Sequence, residues 1–305
     1  MEKFAIYPSS SIKSCSIMNI AIVGATGNVG RKILEVLERK KLKINELFLV
    51  ASSKSAGQKI VFNGKDHEVF NLETFDFSKT KITFFAAGGK ISEKYAPLAA
   101  KHSVVIDNSS FYRMDQDVPL IVPQVNADAI KNMKKNIIAN PNCSTAQLVI
   151  ALKPLHDLFK IQRIVVSTYQ SVSGGGKGPM DELIEQTKLS LNNKKITSKN
   201  FTKQIAFNAI PHIDLFSDDG YTKEELKMTN ETKKILDEQI ELTATCVRIP
   251  VMVSHSESVN IQFEKPFSLG EVQDALSKAK GCKVHDLRED GGYITPLEAE
   301  GSDET

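Results

Sequence analysis

Cys143 stands in Asn140-Pro-Asn-Cys-Ser-Thr145, after an apolar strand-like run, Asn136-Ile-Ile-Ala-Asn140, and before an apolar helical run over residues 144–152. Pro154 should stop that helix. Asn142 is then a natural N-cap, with Cys143 in the first turn. Free backbone N–H groups and the positive end of the helix dipole favour a thiolate there. A free thiol titrates near ~8.5, and sites of this kind fall to about 3.5–7.5. A lone cysteine is more often a small buried apolar side chain. The weight shifts because other chemistry-bearing residues occur in a compatible order.

Arg248 and His255 lie in Cys246-Val-Arg-Ile-Pro-Val-Met-Val-Ser-His-Ser-Glu257, an otherwise apolar strand region. An arginine among Val247, Ile249 and Val251 needs a partner, and a bidentate carboxylate suits its guanidinium. His255 suits acid/base work, since imidazole titrates near neutrality; His67, His102, His156, His212 and His285 have ordinary contexts. Gln170 closes a β-rich run over residues 161–170, on one face with Ile164, Val166 and Thr168. There its amide could meet a ligand, or simply be solvated. Glu224 and Lys227 are three apart in a helical stretch, ordinarily a surface ion pair.

These groups need a scaffold, and the front of the chain reads as one. Asn19-Ile-Ala-Ile-Val23 is a buried-strand run, followed by Gly24-Ala-Thr-Gly-Asn-Val-Gly30 and an amphipathic helix over residues 31–39. Strand, glycine loop and helix form the phosphate-binding unit of a dinucleotide fold. Gly24 permits the tight turn, Gly27 lets the backbone approach a pyrophosphate, and Gly30 permits close helix packing. The amides of Thr26, Gly27, Asn28 and Val29 can face the phosphates. The second strand ends in Ala51-Ser-Ser-Lys-Ser-Ala-Gly57, where an acidic residue would mark a free ribose 2′-hydroxyl. Ser52, Lys54 and Ser55 instead suit a 2′-phosphate, favouring NADP over NAD. Further strand–helix units predict a parallel sheet with the glycine loop, Gly88, Asn108 and Cys143 along one edge.

With 305 residues, net charge +2 and 41% hydrophobic content, the chain has room for two packed domains. That balance does not suggest a nucleic-acid or membrane surface, and no apolar run reaches the ~20 residues of a membrane span. Cys15, Cys143, Cys246 and Cys282 are scattered without CxxC spacing, which argues against disulfides and structural zinc and for the cytoplasm. Residues 1–17 are serine-rich and make a poor secretory signal; they are expected to be a disordered extension, with Met18 an alternative start.

Together these motifs resemble the bacterial aspartate-semialdehyde dehydrogenases, from Met18 to about Gly301. The likeness rests on the glycine loop, Asp107-Asn-Ser-Ser110 with Arg113, and the Cys143 segment. It continues through Ser167-Thr-Tyr-Gln-Ser-Val-Ser-Gly174, Ile210-Pro-His-Ile213, and Arg248-Ile-Pro-Val251 with His255. The resemblance implies an α/β fold: a Rossmann-type doubly wound parallel sheet over residues 18–142 and a second α+β catalytic and dimerisation domain over residues 143–305. It implies Cys143 as nucleophile and His255 as general acid/base. Gln170 would orient substrate, Arg248 hold its carboxylate, Glu224 lie near its amino group, and Arg113 and Lys227 bind phosphate. Thr26 to Val29, Lys54, Ser55, Ser173 and Gly174 would contact NADP. A homodimer acting on aspartate semialdehyde and phosphate, in lysine (diaminopimelate), threonine and methionine synthesis, is the corresponding expectation.

Lys54 stands where the family commonly has arginine, and Gln124 where it has glutamate. The family also implies a further strand and long helix beyond residue 305, returning to the first domain. Two other readings stay open here. N-acetyl-glutamyl-phosphate reductase shares the thioester logic, but its motif has glycine where Asn142 stands. A non-catalytic NADP-binding relic is the other. A short-chain reductase would need Tyr-x-x-x-Lys, which no tyrosine here supplies.

Overall fold

The computed structural model describes residues 18–305; the expected disordered extension, residues 1–17 with Cys15, lies outside them. The first domain comprises β1 (Met18–Val23), α1 (Asn28–Arg39), β2 (Ile44–Ala51), β3 (Lys59–Phe62) and β4 (Lys65–Asn71). It continues with β5 (Ile82–Phe85), α2 (Gly89–Ala99), β6 (Val104–Asp107), α3 (Pro123–Asn126) and β7 (Ile137–Ala139). The strands form one sheet in the order β3-β4-β2-β1-β5-β6-β7. All neighbours are parallel except β3, which pairs antiparallel with β4.

Alternate residues of β1 feed two different cores, as they must when both faces of a sheet are covered. Ala21 and Val23 pack with Val50, Phe85 and Ala96, whereas Ile22 packs with Leu34, Leu37 and Leu49. Helices therefore cover both faces, the Rossmann-type doubly wound arrangement. Two glycines of the first loop are sterically obligatory. A Cβ on Gly30 would lie 2.2 Å from the Gly24 carbonyl oxygen, and one on Gly24 would lie 2.6 Å from that of Ala86. Gly24 also has φ +89°, in the region glycine tolerates best.

The second part of the chain holds α4 (Cys143–Phe159), β8 (Ile161–Gln170), α5 (Lys177–Leu191), α6 (Lys223–Ile235) and β9 (Glu241–Arg248). It ends with β10 (Ser256–Phe263), α7 (Leu269–Lys278) and α8 (Pro296–Ala299). Its sheet has the order β10-β8-β9, with β9 parallel and β10 antiparallel to β8. Leu148 and Leu152 of α4 pack on Ile164, Val166 and Cys246, while Val149 of the same helix joins the first core. So α4 seams the two cores together.

That helix does not stop at Pro154, as its sequence suggested, but runs to Phe159. Proline lacks the N–H that would bond the Ile150 carbonyl. The Cys282 thiol, 132 residues away, donates to that oxygen instead, at 3.6 Å. The last residues lie against α1: Arg39 donates to the Gly301 carbonyl at 3.1 Å, and Asp303 pairs with Arg39 and Lys40. Among the described residues no helix is long and apolar enough to cross a membrane.

Candidate active site

Three strand ends and one helix start converge. Gln170 ends β8 and pairs in register with Arg248, which ends β9, and His255 directly precedes β10. The run holding Arg248 and His255 is thus not one strand region but two strand ends joined by a loop over residues 249–255. Facing them is the first turn of α4. Asn142 caps it as expected, its side-chain oxygen accepting from the Ser144 and Thr145 amides at 2.9 and 3.4 Å. Cys143 Sγ lies 3.2 Å from His255 Nε2. The two residues, 112 apart in the chain, are in hydrogen-bond contact.

Around this pair lies a buried charge network. Glu224 accepts from Asn142 Nδ2 at 3.0 Å, Gln170 Nε2 at 3.3 Å and Lys227 Nζ at 3.2 Å. Glu224 is only 6% exposed. Its contact with Lys227, expected to be a surface ion pair, is therefore part of the interior of the site. Burial works against the Lys227 charge, but Asp214, bonded at 2.8 Å, and Glu224 outweigh it and hold its ammonium above the ordinary range. Arg248 donates from Nη1 to the Ser171 carbonyl at 2.6 Å.

Arg113 reaches the cluster from the loop after β6. Its Nε donates to the Asn140 carbonyl at 2.9 Å, one terminal nitrogen to Asn108 at 3.2 Å, and the other to Glu231 at 3.0 Å. Glu231 also accepts the Asn142 backbone N–H at 2.6 Å, immediately before the cysteine. Neither Glu231 nor Ser171 was singled out from the sequence. Glu231 had a signal: it lies seven residues after Glu224, hence on the same face of α6.

The electrostatics overturn one expectation. Cys143 is not held below the ordinary thiol range; burial and the charge of Glu224 push it up, against the Ser144 amide, Arg248 and Arg113. The residue is open to solvent, yet protein surrounds its sulfur densely. These two properties pull apart; the opening admits a reactant, while the dense surroundings govern the cost of charging the sulfur. Burial, aided by Arg248 and opposed by Glu224, also pushes His255 down to about 4, so the ring is neutral at physiological pH.

The glycine loop, the turn after β5, Asn108 and Cys143 do follow the carboxyl ends of parallel strands. Asn140 Nδ2 donates to the Asn108 side chain at 2.6 Å. Asn28, at the start of α1, reaches Met180 Sδ of α5 at 3.8 Å, so the loop region meets the second domain. Gly27 caps α1 without any side-chain bond, leaving the first-turn amides of Asn28 and Val29 for an anion. A Cβ on Gly174 would lie 3.3 Å from Arg248 Nη1 and 3.6 Å from the His255 ring, so glycine keeps that face clear. Ser52 and Lys54 are exposed in the turn after β2, beside half-buried Ser55. These features fit a dinucleotide lying from the α1 end to the Cys143–His255 pair. Among the described residues no cluster able to hold a metal ion is present.

Comparison with known proteins shows the family. The semialdehyde dehydrogenase NAD binding domain matches residues 19–133, and the semialdehyde dehydrogenase dimerisation domain matches residues 152–305. An aspartate-semialdehyde dehydrogenase of Aquifex aeolicus is 51% identical over 290 residues, covering 93% of this chain and 85% of that protein. A crystal structure of aspartate semialdehyde dehydrogenase II from Vibrio cholerae, complexed with ASA, superposes with a TM-score of 0.92. It is 47% identical and covers 95% of this chain and 86% of that one. The enzyme from Candida albicans, solved with NADP, has a TM-score of 0.66 at 26% identity, covering 86% and 76%. The chain therefore belongs to the aspartate-semialdehyde dehydrogenases, a family of NAD(P)-dependent phosphorylating oxidoreductases.

Proposed function

We propose that this protein interconverts L-aspartyl 4-phosphate and L-aspartate 4-semialdehyde through an acyl-thioester on Cys143, with NADP as its dinucleotide. The observation that carries this reading is the 3.2 Å contact of Cys143 Sγ with His255 Nε2, at a site lined by Arg248, Gln170 and Glu224.

Cys143 adds to the aldehyde as thiolate, and the C–S bond formed gives a hemithioacetal. The neighbouring amides of Asn142, Ser144 and Thr145 are bonded within the protein, so the Cys143 backbone N–H is the one at the start of α4 left for the developing oxyanion; a donor so placed typically contributes ~2.7–4 kcal/mol. His255 is the acid/base group at the sulfur. Arg248 holds the substrate α-carboxylate, Glu224 its ammonium, and Gln170 orients it. Arg113 and Lys227 bind phosphate, whose oxygen attacks the thioester and releases the sulfur. The dinucleotide, when bound, exchanges hydride with the substrate carbon. Gly24, Thr26, Gly27, Asn28 and Val29 would hold its pyrophosphate, Asn108, Ser173 and Gly174 its nicotinamide side, and Ser52, Lys54 and Ser55 its 2′-phosphate. Ser52 and Lys54 are exposed in the turn after β2, which supports the last assignment.

We assign dinucleotide binding to residues 18–142 and substrate binding and dimerisation to residues 143–305, in a cytoplasmic homodimer of amino-acid biosynthesis. Supporting a dimer, the second domain carries an apolar hollow of about 410 Å³ lined by Ile184, Phe207 and Met252, with Phe207 67% exposed. The test is phosphate-dependent NADPH formation from aspartate semialdehyde. Turnover should be present in the native enzyme and lost by at least ~10⁴-fold in Cys143→Ala. A folded Cys143→Ala variant that turns over at the native rate would remove the thioester from the scheme.

A further inference from the structure

We infer that Ser171 is a positioning residue: its backbone N–H fixes His255 in the tautomer whose proton sits on Nε2, so the ring meets Cys143 as a hydrogen-bond donor. This rests on the assignment of His255 as the acid/base partner of Cys143, and it specifies from which side of that role the resting ring starts.

The Ser171 amide points at His255 Nδ1 from 3.0 Å. A backbone N–H can only donate, so Nδ1 must present its lone pair. A neutral imidazole has one ring proton, which then lies on Nε2, the nitrogen 3.2 Å from Cys143 Sγ. Ser171 is placed for this by the end of a ladder. It follows the last residue of β8; the carbonyl before it bonds Ile249, and the amide after it bonds Val251. Its own amide is left to the imidazole.

Ser171 is fully buried, and every polar atom of it is engaged. Its Oγ lies 3.0 Å from the same Nδ1 and 3.1 Å from Ser173 Oγ, while its carbonyl accepts from Arg248 Nη1 at 2.6 Å. One residue thus ties the imidazole to the guanidinium assigned to the substrate carboxylate. The charged or titratable groups facing the ring are Cys143 from α4, Arg248 from β9 and Glu224 from α6. Arg248 and the Ser171 amide both oppose an imidazolium, which would set Nδ1–H against N–H; Glu224 favours it.

A neutral ring with Nε2–H lends its hydrogen to the thiolate, and to a carbonyl oxygen gaining charge, without surrendering it. In this resting tautomer Nε2 has no lone pair facing the sulfur, so for His255 to take the thiol proton the ring proton must first pass to Nδ1, where Ser171 Oγ, 3.0 Å away, can accept its hydrogen bond. The sulfur leaves as thiolate when the thioester is cleaved and takes back the proton it gave up, while the proton of the attacking phosphate is released to solvent, so one proton is released per turnover toward the acyl phosphate.

The experiment is ¹⁵N NMR of the full-length enzyme labelled at histidine, with the His255 signals identified by their loss in His255→Asn. A pyridine-like Nδ1 and a pyrrole-like Nε2 are expected through neutral pH. Ser171→Ala, which keeps the amide, should keep that tautomer. Ser171→Pro removes the N–H at a residue whose φ is −65°, the value proline requires. It should mix the tautomers and raise the ring's titration point by about one unit, visible also in the acid limb of the kcat–pH profile. A proton found on Nδ1 in the native enzyme overturns the inference, as does Ser171→Pro titrating like the native protein. If Ser171→Pro fails to fold, the native and Ser171→Ala spectra decide alone. Native turnover in His255→Asn would sink the role of His255 itself, whereas Nδ1–H in an enzyme that needs His255 refutes only the tautomer.

Discussion

Glu257 offers a quantitative test of how this site is packed. It sits on β10 opposite Thr168, on the face covered by α4, and accepts one hydrogen bond, from Gln147 Nε2 at 2.8 Å. The same amide nitrogen lies 3.4 Å from the His255 carbonyl oxygen. Burial pushes the Glu257 carboxyl up to about 8, against the pull of Gln147 and from an ordinary value of 4.5. At pH 7 the folded protein therefore keeps a proton that the unfolded chain has released. This contribution to stability is complete below about 4.5 and is lost as pH rises through about 8. That gap, at ~1.36 kcal/mol per unit, sets a ceiling of ~5 kcal/mol. Residual solvent contact cuts this to ~2–3 kcal/mol. Glu257→Gln keeps the shape and the Gln147 bond but cannot ionise. Thermal unfolding of both proteins from pH 5 to 9 should show the native midpoint falling more steeply, by about 3–5 °C over the range. The slope is the readout, because the variant's extra buried N–H shifts its curve bodily. Parallel curves would refute the reasoning.

Two further variants test the buried network and the cofactor turn. Glu231→Ala strands the buried Arg113 guanidinium and the Asn142 amide, and should destabilise the fold by ~3–5 kcal/mol, against ~1–3 kcal/mol for Glu231→Gln, which keeps an acceptor. Denaturant midpoints check this, and an alanine variant as stable as the native chain would contradict it. Lys54→Ala should raise KM for NADPH by about tenfold or more, the worth of one charge-assisted bond, and leave KM for NADH unchanged. Equal effects on the two cofactors would dissociate Lys54 from the 2′-phosphate.

In the reaction proposed above, the buried network separates two kinds of residue. Cys143 and His255 touch each other, whereas Glu231 acts at one remove, through Arg113 and the cap of α4. In that proposal Glu231 carries no reacting atom and acts by fixing where Cys143 stands.

What the sequence determined by itself was whatever depends on neighbours within two helical turns. The glycine loop between β1 and α1, the Asn142 cap, the parallel alternation of the first domain and the family motifs were all legible, because their geometry closes within a few residues. Tertiary structure decided what depends on groups far apart in the chain. Pro154 looked like a helix stop because the thiol of Cys282 could not be foreseen at the Ile150 carbonyl. A helix start argued for a low thiol pKa, but desolvation and the carboxylate of Glu224, 81 residues away, push it the other way. The Ser171 amide gained a role only because β8 ends beside a loop from another strand. Local patterns choose the elements; burial and the electric field at a site are sums over every element that packs there, so the fold alone determines them.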